Sequence, residues 1–252
     1  NFLKRNKYGL TLIGITWLIS FSRTIFLKQI YFLDDLKIIY YPLEAIYGQA
    51  QATGQLPLWS NLFGFGQPIL AWGQLGFFTP LHVILRALQI HPLTLLQLSI
   101  LIYFALGLLG MYIFLRRFSS QAGSALGATV FVFGGFHIAH LNHVNFYTAT
   151  LWLPWLLASL DHFLFKPTIN RSLLPALIAS AIILSGQPQI ALYTLIIASV
   201  YGATRLIGNL SRGPAKAGLY GIGNWSRILA LLTLDRKSTR LNSSHSSVSR
   251  MP

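Results

Sequence analysis

An all-α, polytopic transmembrane helical bundle is the fold class this sequence predicts. Three observations carry it. The 252 residues are 54% hydrophobic and only 10% charged, where a water-soluble domain carries about 25% charged residues, and with a mean hydropathy of +0.57 the surface is more easily solvated by lipid than by water. Apolar runs approaching the ~20 residues that cross a bilayer recur along the chain. The basic residues fall in alternate connections between those runs, as the positive-inside rule requires.

Taken in order, Lys4, Arg5 and Lys7 precede the first run, 8 to 32, and no clean small-residue cleavage site follows, so the start reads as an uncleaved signal anchor. This first span carries Arg23 and Lys28 in its second half. A long first outer loop, 33 to 91, comes next. Within it "DLKIIYYPLEAIYGQAQA" reads as an amphipathic helix, and 78 to 90 as an interfacial helix or partial insertion. Five further spans are expected at 92 to 115, 121 to 136, 146 to 165, 172 to 185 and 188 to 207, about six in all. In the third, Gly123 and Gly127 form a GxxxG suited to close packing inside the bundle. "WSRILALLTL", 225 to 234, begins a seventh run and stops after ten residues. The chain thus divides into a transmembrane domain, 1 to 234, and a polar, Ser-rich tail, 235 to 252. The tail reads as a disordered basic segment or as translated sequencing adapter, in which case the seventh span and the domain are truncated.

The net charge of +14, from 19 Lys and Arg against 5 Asp and Glu, invites a nucleic-acid reading. The distribution argues against it. Arg116, Arg117, Lys166, Arg171, Arg205, Arg212, Lys216 and Arg227 join the N-terminal bases on one side of the bundle, while the alternate loops hold only Lys37 and Arg86. The bases therefore orient the chain, with its N-terminus in the cytoplasm and the bilayer, not nucleic acid, as partner. The absence of cysteine excludes disulfides and thiolate metal sites.

On the outer side the scarce acids gather: Asp34, Asp35 and Glu44 are three of five. Adjacent carboxylates repel, and a low-dielectric edge raises the cost of ionising them, so Asp34 or Asp35 could serve as a general base near neutral pH. The pair could instead hold Mg²⁺ or Mn²⁺ through oxygen, or simply cap the helix that follows. In "GQLPLWSNLFGFGQPILAWGQLGFFTP", 54 to 80, Gly and Pro are too frequent for a long helix. Its aromatics form either a headgroup-level belt or the wall of a groove where Asn61, Gln67 and Gln74 bond the hydroxyls of a sugar or lipid headgroup. His137, His140 and His143, spaced i, i+3 and i+6, are expected along one helical side, able to bond a phosphate or hydroxyl; the spacing matches no zinc signature. "SGQPQ" adds Gln187 and Gln189 in the turn between the fifth and sixth spans, and the "GQP" at 66 to 68 repeats part of it, each Pro expected in the first turn of a helix. Arg23, costly at mid-bilayer, either snorkels or meets an anionic lipid phosphate in a cavity.

An acidic pair straight after the first span, then "YYP", then "LPLWSNLFGFGQPILA", then "GGFHIAHLNHVNFYTATLWLPW" and "SGQPQIALY", resembles the YfhO-type family of bacterial membrane proteins over about residues 8 to 234. That family is similar to the multi-span glycosyltransferases of the GT-C fold. The resemblance implies a protein of the bacterial cytoplasmic membrane. It would move a sugar from a polyprenyl-phosphate carrier to an envelope glycan or polymer acceptor on the non-cytoplasmic side. The acidic catalytic residue of the first outer loop maps onto Asp34 or Asp35. Tyr40 and Tyr41 then shape the pocket, and the three histidines contact donor phosphate or acceptor. Family members have more spans than this chain, so activity is expected of the full-length parent. Two rivals stand beside this reading: a transporter or lipid flippase, which should place ionisable groups near the midplane of several spans, and a non-catalytic scaffold for envelope assembly.

Overall fold

The computed structural model describes residues 2–210 apart from 63 and 72–75, with backbone alone at 209 and 210. The seventh apolar run, the polar tail, Gln74 and the bases Arg212, Lys216 and Arg227 lie outside the described residues. Among the described residues every regular element is helical, with one isolated antiparallel bridge between Ser60 and Gln67.

The described residues form twelve helices in order: α1 (Phe2–Arg5), α2 (Lys7–Ser20), α3 (Ser22–Phe26), α4 (Tyr41–Ala52), α5 (Pro80–Ala87), α6 (Pro92–Leu115), α7 (Gln121–Val132), α8 (Gly135–Ala139), α9 (Val144–Thr150), α10 (Leu153–Phe165), α11 (Ile169–Ile183) and α12 (Pro188–Leu210). A π-helical turn, Leu36–Tyr40, leads into α4. Among the described residues three helical stretches are long and apolar enough to cross a membrane: Pro92–Leu115, Gln121–Ala139 and Pro188–Gly208. The 15-residue α11 is apolar but shorter, and α2 and α10 have 14 and 13 residues.

α6 is the axis. Its 24 residues begin with Pro92 at the first turn, where a missing N–H costs nothing, and end at the Arg116–Arg117 pair. It packs on α7, α2 and α10, while α10 packs in turn on α11 and α12. The main core forms around Leu95, Ile100, Phe104, Leu108 and Tyr112 of α6, joined by Phe21, Leu36, Val132 and Tyr147. The GxxxG does pack closely: a Cβ on Gly127 would stand 2.6 Å from Leu115 Cδ1.

Several expected spans are shortened or interrupted. The first run breaks at Phe21 and ends at Phe26 instead of reaching 32. Residues 27–33 run without regular structure, and the buried Gln97 of α6 pairs with Tyr31 as a neighbouring strand would: Tyr31 N–H donates to Oε1 at 2.9 Å and Nε2 donates to Tyr31 O at 2.7 Å. Gly134 separates α7 from α8, its extended ψ of 161° letting the chain turn where a Cβ would strike Val130 O at 2.7 Å. The expected 146 to 165 span divides into α9 and α10 at Leu151–Trp152, ahead of Pro154, which lacks a donor and restricts the residue before it.

Side chains tie the helix ends into two groups. At one end Arg116 Nε donates to Asn6 Oδ1 at 2.7 Å, Gln121 Nε2 to Arg5 O at 2.9 Å, and Asp161 receives Arg117 Nη1, Arg205 Nε (2.8 Å) and Tyr201 OH (2.7 Å). At the other end lie the acid pair, the 140–145 segment and the 185–187 turn.

Candidate functional site

The acid pair sits where residues 27–33 enter the first helical turn. Asp34 adopts φ 44°, a left-handed conformation that Asp tolerates better than most residues. Neither carboxylate does what a helix cap should: Asp35, before the π-helical turn, makes no side-chain cap hydrogen bond. Both reach across to the turn after α8. Asn142 Nδ2 donates to Asp34 Oδ2 at 2.8 Å, and His143 Nε2 lies 3.4 Å from Asp35 Oδ2. His140 Nδ1 stands 3.4 Å from His143 Nδ1, and the His140 ring stacks on Phe146 at 4.6 Å. Loss of hydration, then the neighbouring His143, hold the His140 pKa below the ordinary imidazole value.

The three histidines do not share a face. α8 ends at Ala139, so His140 and His143 follow a turn instead of continuing one helical stripe. His137 points inward, 3% exposed, held by Phe131 O at 2.9 Å and Thr150 Oγ1 at 2.8 Å. Its role there is to join α7 to α9.

Behind the acids a hydrogen-bonded chain runs into the bundle. Tyr40 OH donates to Asn145 Oδ1 at 2.7 Å, and Asn145 Nδ2 donates to Gln187 Oε1 at 3.1 Å. Burial, with Asp35 adding to it, pushes the Tyr40 hydroxyl's pKa up, so it keeps the proton that this donation needs. Tyr41 is half-buried, edge-on to Phe32 at 5.6 Å and near His91. Other expected ligands lie elsewhere. Arg23 is exposed on α3. Asn61 accepts from Trp59 Nε1 at 2.7 Å, and Gln67 pairs its backbone with Ser60, so that Pro68 belongs to this bridge and not to a helix start. Gln189 is exposed and donates to Tyr193 OH at 2.9 Å.

A second ionic group was not foreseen from the sequence. Glu44 Oε1 lies 2.7 Å from His82 Nδ1, and Glu44 Oε2 accepts from Arg86 Nη1 at 2.9 Å. Arg86 also donates through Nε to Gln51 Oε1 at 3.1 Å and through Nη2 to Phe77 O, and its guanidinium lies over the Phe77 and Tyr47 rings. Burial alone would raise the Glu44 pKa, but His82 and Arg86 outweigh it and hold the carboxyl below the usual range. An ionised Glu44 fixes the His82 tautomer with hydrogen on Nδ1, leaving buried Nε2 without a hydrogen-bond partner among the described residues. The clue in the sequence was the i, i+4 spacing of His82 and Arg86 on one short helix, facing the lone acid of the next amphipathic one.

Among the described residues no three His, Asp or Glu side chains converge as a metal centre. The two Asp carboxylates engage different partners, Asn142 and His143. What the arrangement can do is hold one carboxylate ready, oriented by an amide, beside an imidazole and a second carboxylate. No family model, no curated protein and no solved structure matches the chain.

Proposed function

We propose that the chain forms part of a multi-span glycosyltransferase of the GT-C-like, YfhO-resembling kind in the bacterial cytoplasmic membrane. Six helices cross the bilayer, α2 with α3, α6, α7 with α8, α10, α11 and α12, and the N-terminus is cytoplasmic. The acid pair then lies at the non-cytoplasmic edge, where a polyprenyl-phosphate sugar can enter sideways from the lipid. The observation that supports this reading is the meeting of Asp34 and Asp35 with Asn142 and His143, at the end of the bundle opposite the arginine cluster around Asp161.

In this mechanism an acceptor hydroxyl oxygen attacks the anomeric carbon of the donor sugar. The bond from that carbon to the phosphate oxygen breaks, its electron pair leaving on polyprenyl phosphate. The hydroxyl proton passes to Asp34, which Asn142 holds in position. Asp35 and His143 keep the neighbouring surface polar, and positioned base catalysis of this kind contributes roughly 10²–10⁴-fold. The test is sugar transfer from a labelled polyprenyl-phosphate donor in membranes carrying the full native protein. Asp34→Asn should lower transfer by about that factor with expression intact. Undiminished transfer in both Asp34→Asn and Asp35→Asn removes the assignment. A flippase would instead retain a transbilayer lipid movement that depends on the protein.

A further inference from the structure

Two hollows flank α4 and share Gln49. One, of about 510 Å³, lies between α4 and the α5–α6 corner, with Tyr41, Gln89 and His91 in its lining. The other, of about 300 Å³, lies between α4 and the segment that follows it, with Thr53, Gln55 and Trp59. Ligand sites commonly enclose about 300–1,000 Å³, so either is large enough for a sugar ring.

The lining specifies the ligand's charge. In a chain of net charge +14, a groove for phosphate or uronic acid would be expected to present free cations. The second hollow has no charged residue in its lining. In the first, the charged pair is Glu44 and Arg86, bonded to each other at 2.9 Å and 3% and 5% exposed. What remains to face a ligand is amide, hydroxyl, imidazole and aromatic ring, set among aliphatic side chains such as Ile90 in the first hollow and Leu56 and Leu58 in the second. The side chains of Gln49, Gln55 and Gln89 are exposed. Trp59 spends its N–H on Asn61, and a Cβ on Gly66 would stand 2.8 Å from its ring, so the indole is braced against that glycine. Neutral donors and acceptors beside aromatic faces suit a chain of sugar rings, whose edges are hydroxylated and whose faces are apolar.

We propose that these two hollows form one groove for a neutral glycan chain, with Gln49 bridging successive rings; read with the function above, whose transfer chemistry it presupposes only for its biological role, the occupant is the acceptor. The experiment is calorimetric titration of the purified native protein with maltohexaose and cellohexaose, and with hexagalacturonate as the anionic counterpart. At least one neutral hexasaccharide should bind, about tenfold tighter than hexagalacturonate. Gln49→Ala and Trp59→Ala should each weaken it about tenfold, a loss of ~1.4 kcal/mol, and Trp59→Phe should restore most of it. Equal or tighter binding of hexagalacturonate, no binding of either neutral probe, or native affinity in Gln49→Ala and Trp59→Ala overturns the groove. Native protein that binds a neutral hexasaccharide but transfers no sugar keeps the groove and removes the transferase, whereas native protein that transfers sugar, and loses transfer in Asp34→Asn, but binds no hexasaccharide does the reverse.

Discussion

Among the described residues two carboxylate–imidazole pairs are built from nearly the same parts, and they differ in enclosure. Glu44 and His82 approach to 2.7 Å with side chains 4% and 3% exposed, closed by Arg86 and Gln51. Asp35 and His143 stand 3.4 Å apart with side chains 38% and 35% exposed. Inside, the attraction between charges is strong but desolvation is costly, so every donor must be used. At the edge, water screens the pair and it holds little energy. The closed pair therefore fastens α4 to α5, and the open pair stays accessible to solvent. Identity of residue type says little about role here; access to water separates them.

The largest effect should come from opening the closed pair. Arg86→Met leaves Glu44 buried without its cation and should cost about 3–5 kcal/mol, measured as thermal unfolding of the detergent-solubilised protein; a loss below ~1 kcal/mol would erase the contrast. The same group sets an acid limit. Because the folded-state pKa of Glu44 lies below its ordinary value, its contribution is complete above the usual carboxylate range and is lost as pH falls through the lowered value. Glu44→Gln should flatten that part of the melting temperature against pH.

Smaller effects sharpen the open side. Asn142→Ala frees Asp34 to rotate and should slow sugar transfer roughly ten- to a hundredfold, the range of one hydrogen bond to a charged group, with donor KM little changed. His143→Gln should alter stability by less than about 1 kcal/mol; a larger loss would make this pair structural as well. Smallest is the titration of His140, which NMR should place below the ordinary 6.5.

Much of the frame was legible because it depends on local signals. The 92 to 115 run became Pro92–Leu115, since a proline start, a long apolar stretch and an arginine stop act on the same few residues. Where distant partners decide, the reading failed. The first run looked apolar as far as 32, but Gln97, 66 residues away from Tyr31, draws the chain out of its helix. The histidines were spaced for one helical face, and Gly134 with the turn after Ala139 redirected them. The sequence groups Asp34, Asp35 and Glu44, but the fold sends the first two to Asn142 and His143 and Glu44 to His82 and Arg86. The partner Asn142 is not legible in the sequence, because an isolated Asn in a short loop resembles any turn residue until the fold brings Asp34, 108 positions earlier, against it.

The Gln97 clamp on Tyr31 has a consequence for sequence change. It measures out the tether that delivers the acids, leaving Phe32 and Leu33 as the length between the clamp and Asp34. A residue inserted before Tyr31 would be taken up as slack on the α3 side. One inserted after it would shift Asp34 along its track by about 3.3 Å, a full residue of extended chain, and carry the carboxylate out of reach of Asn142. Tolerance of added length should therefore switch abruptly at position 31.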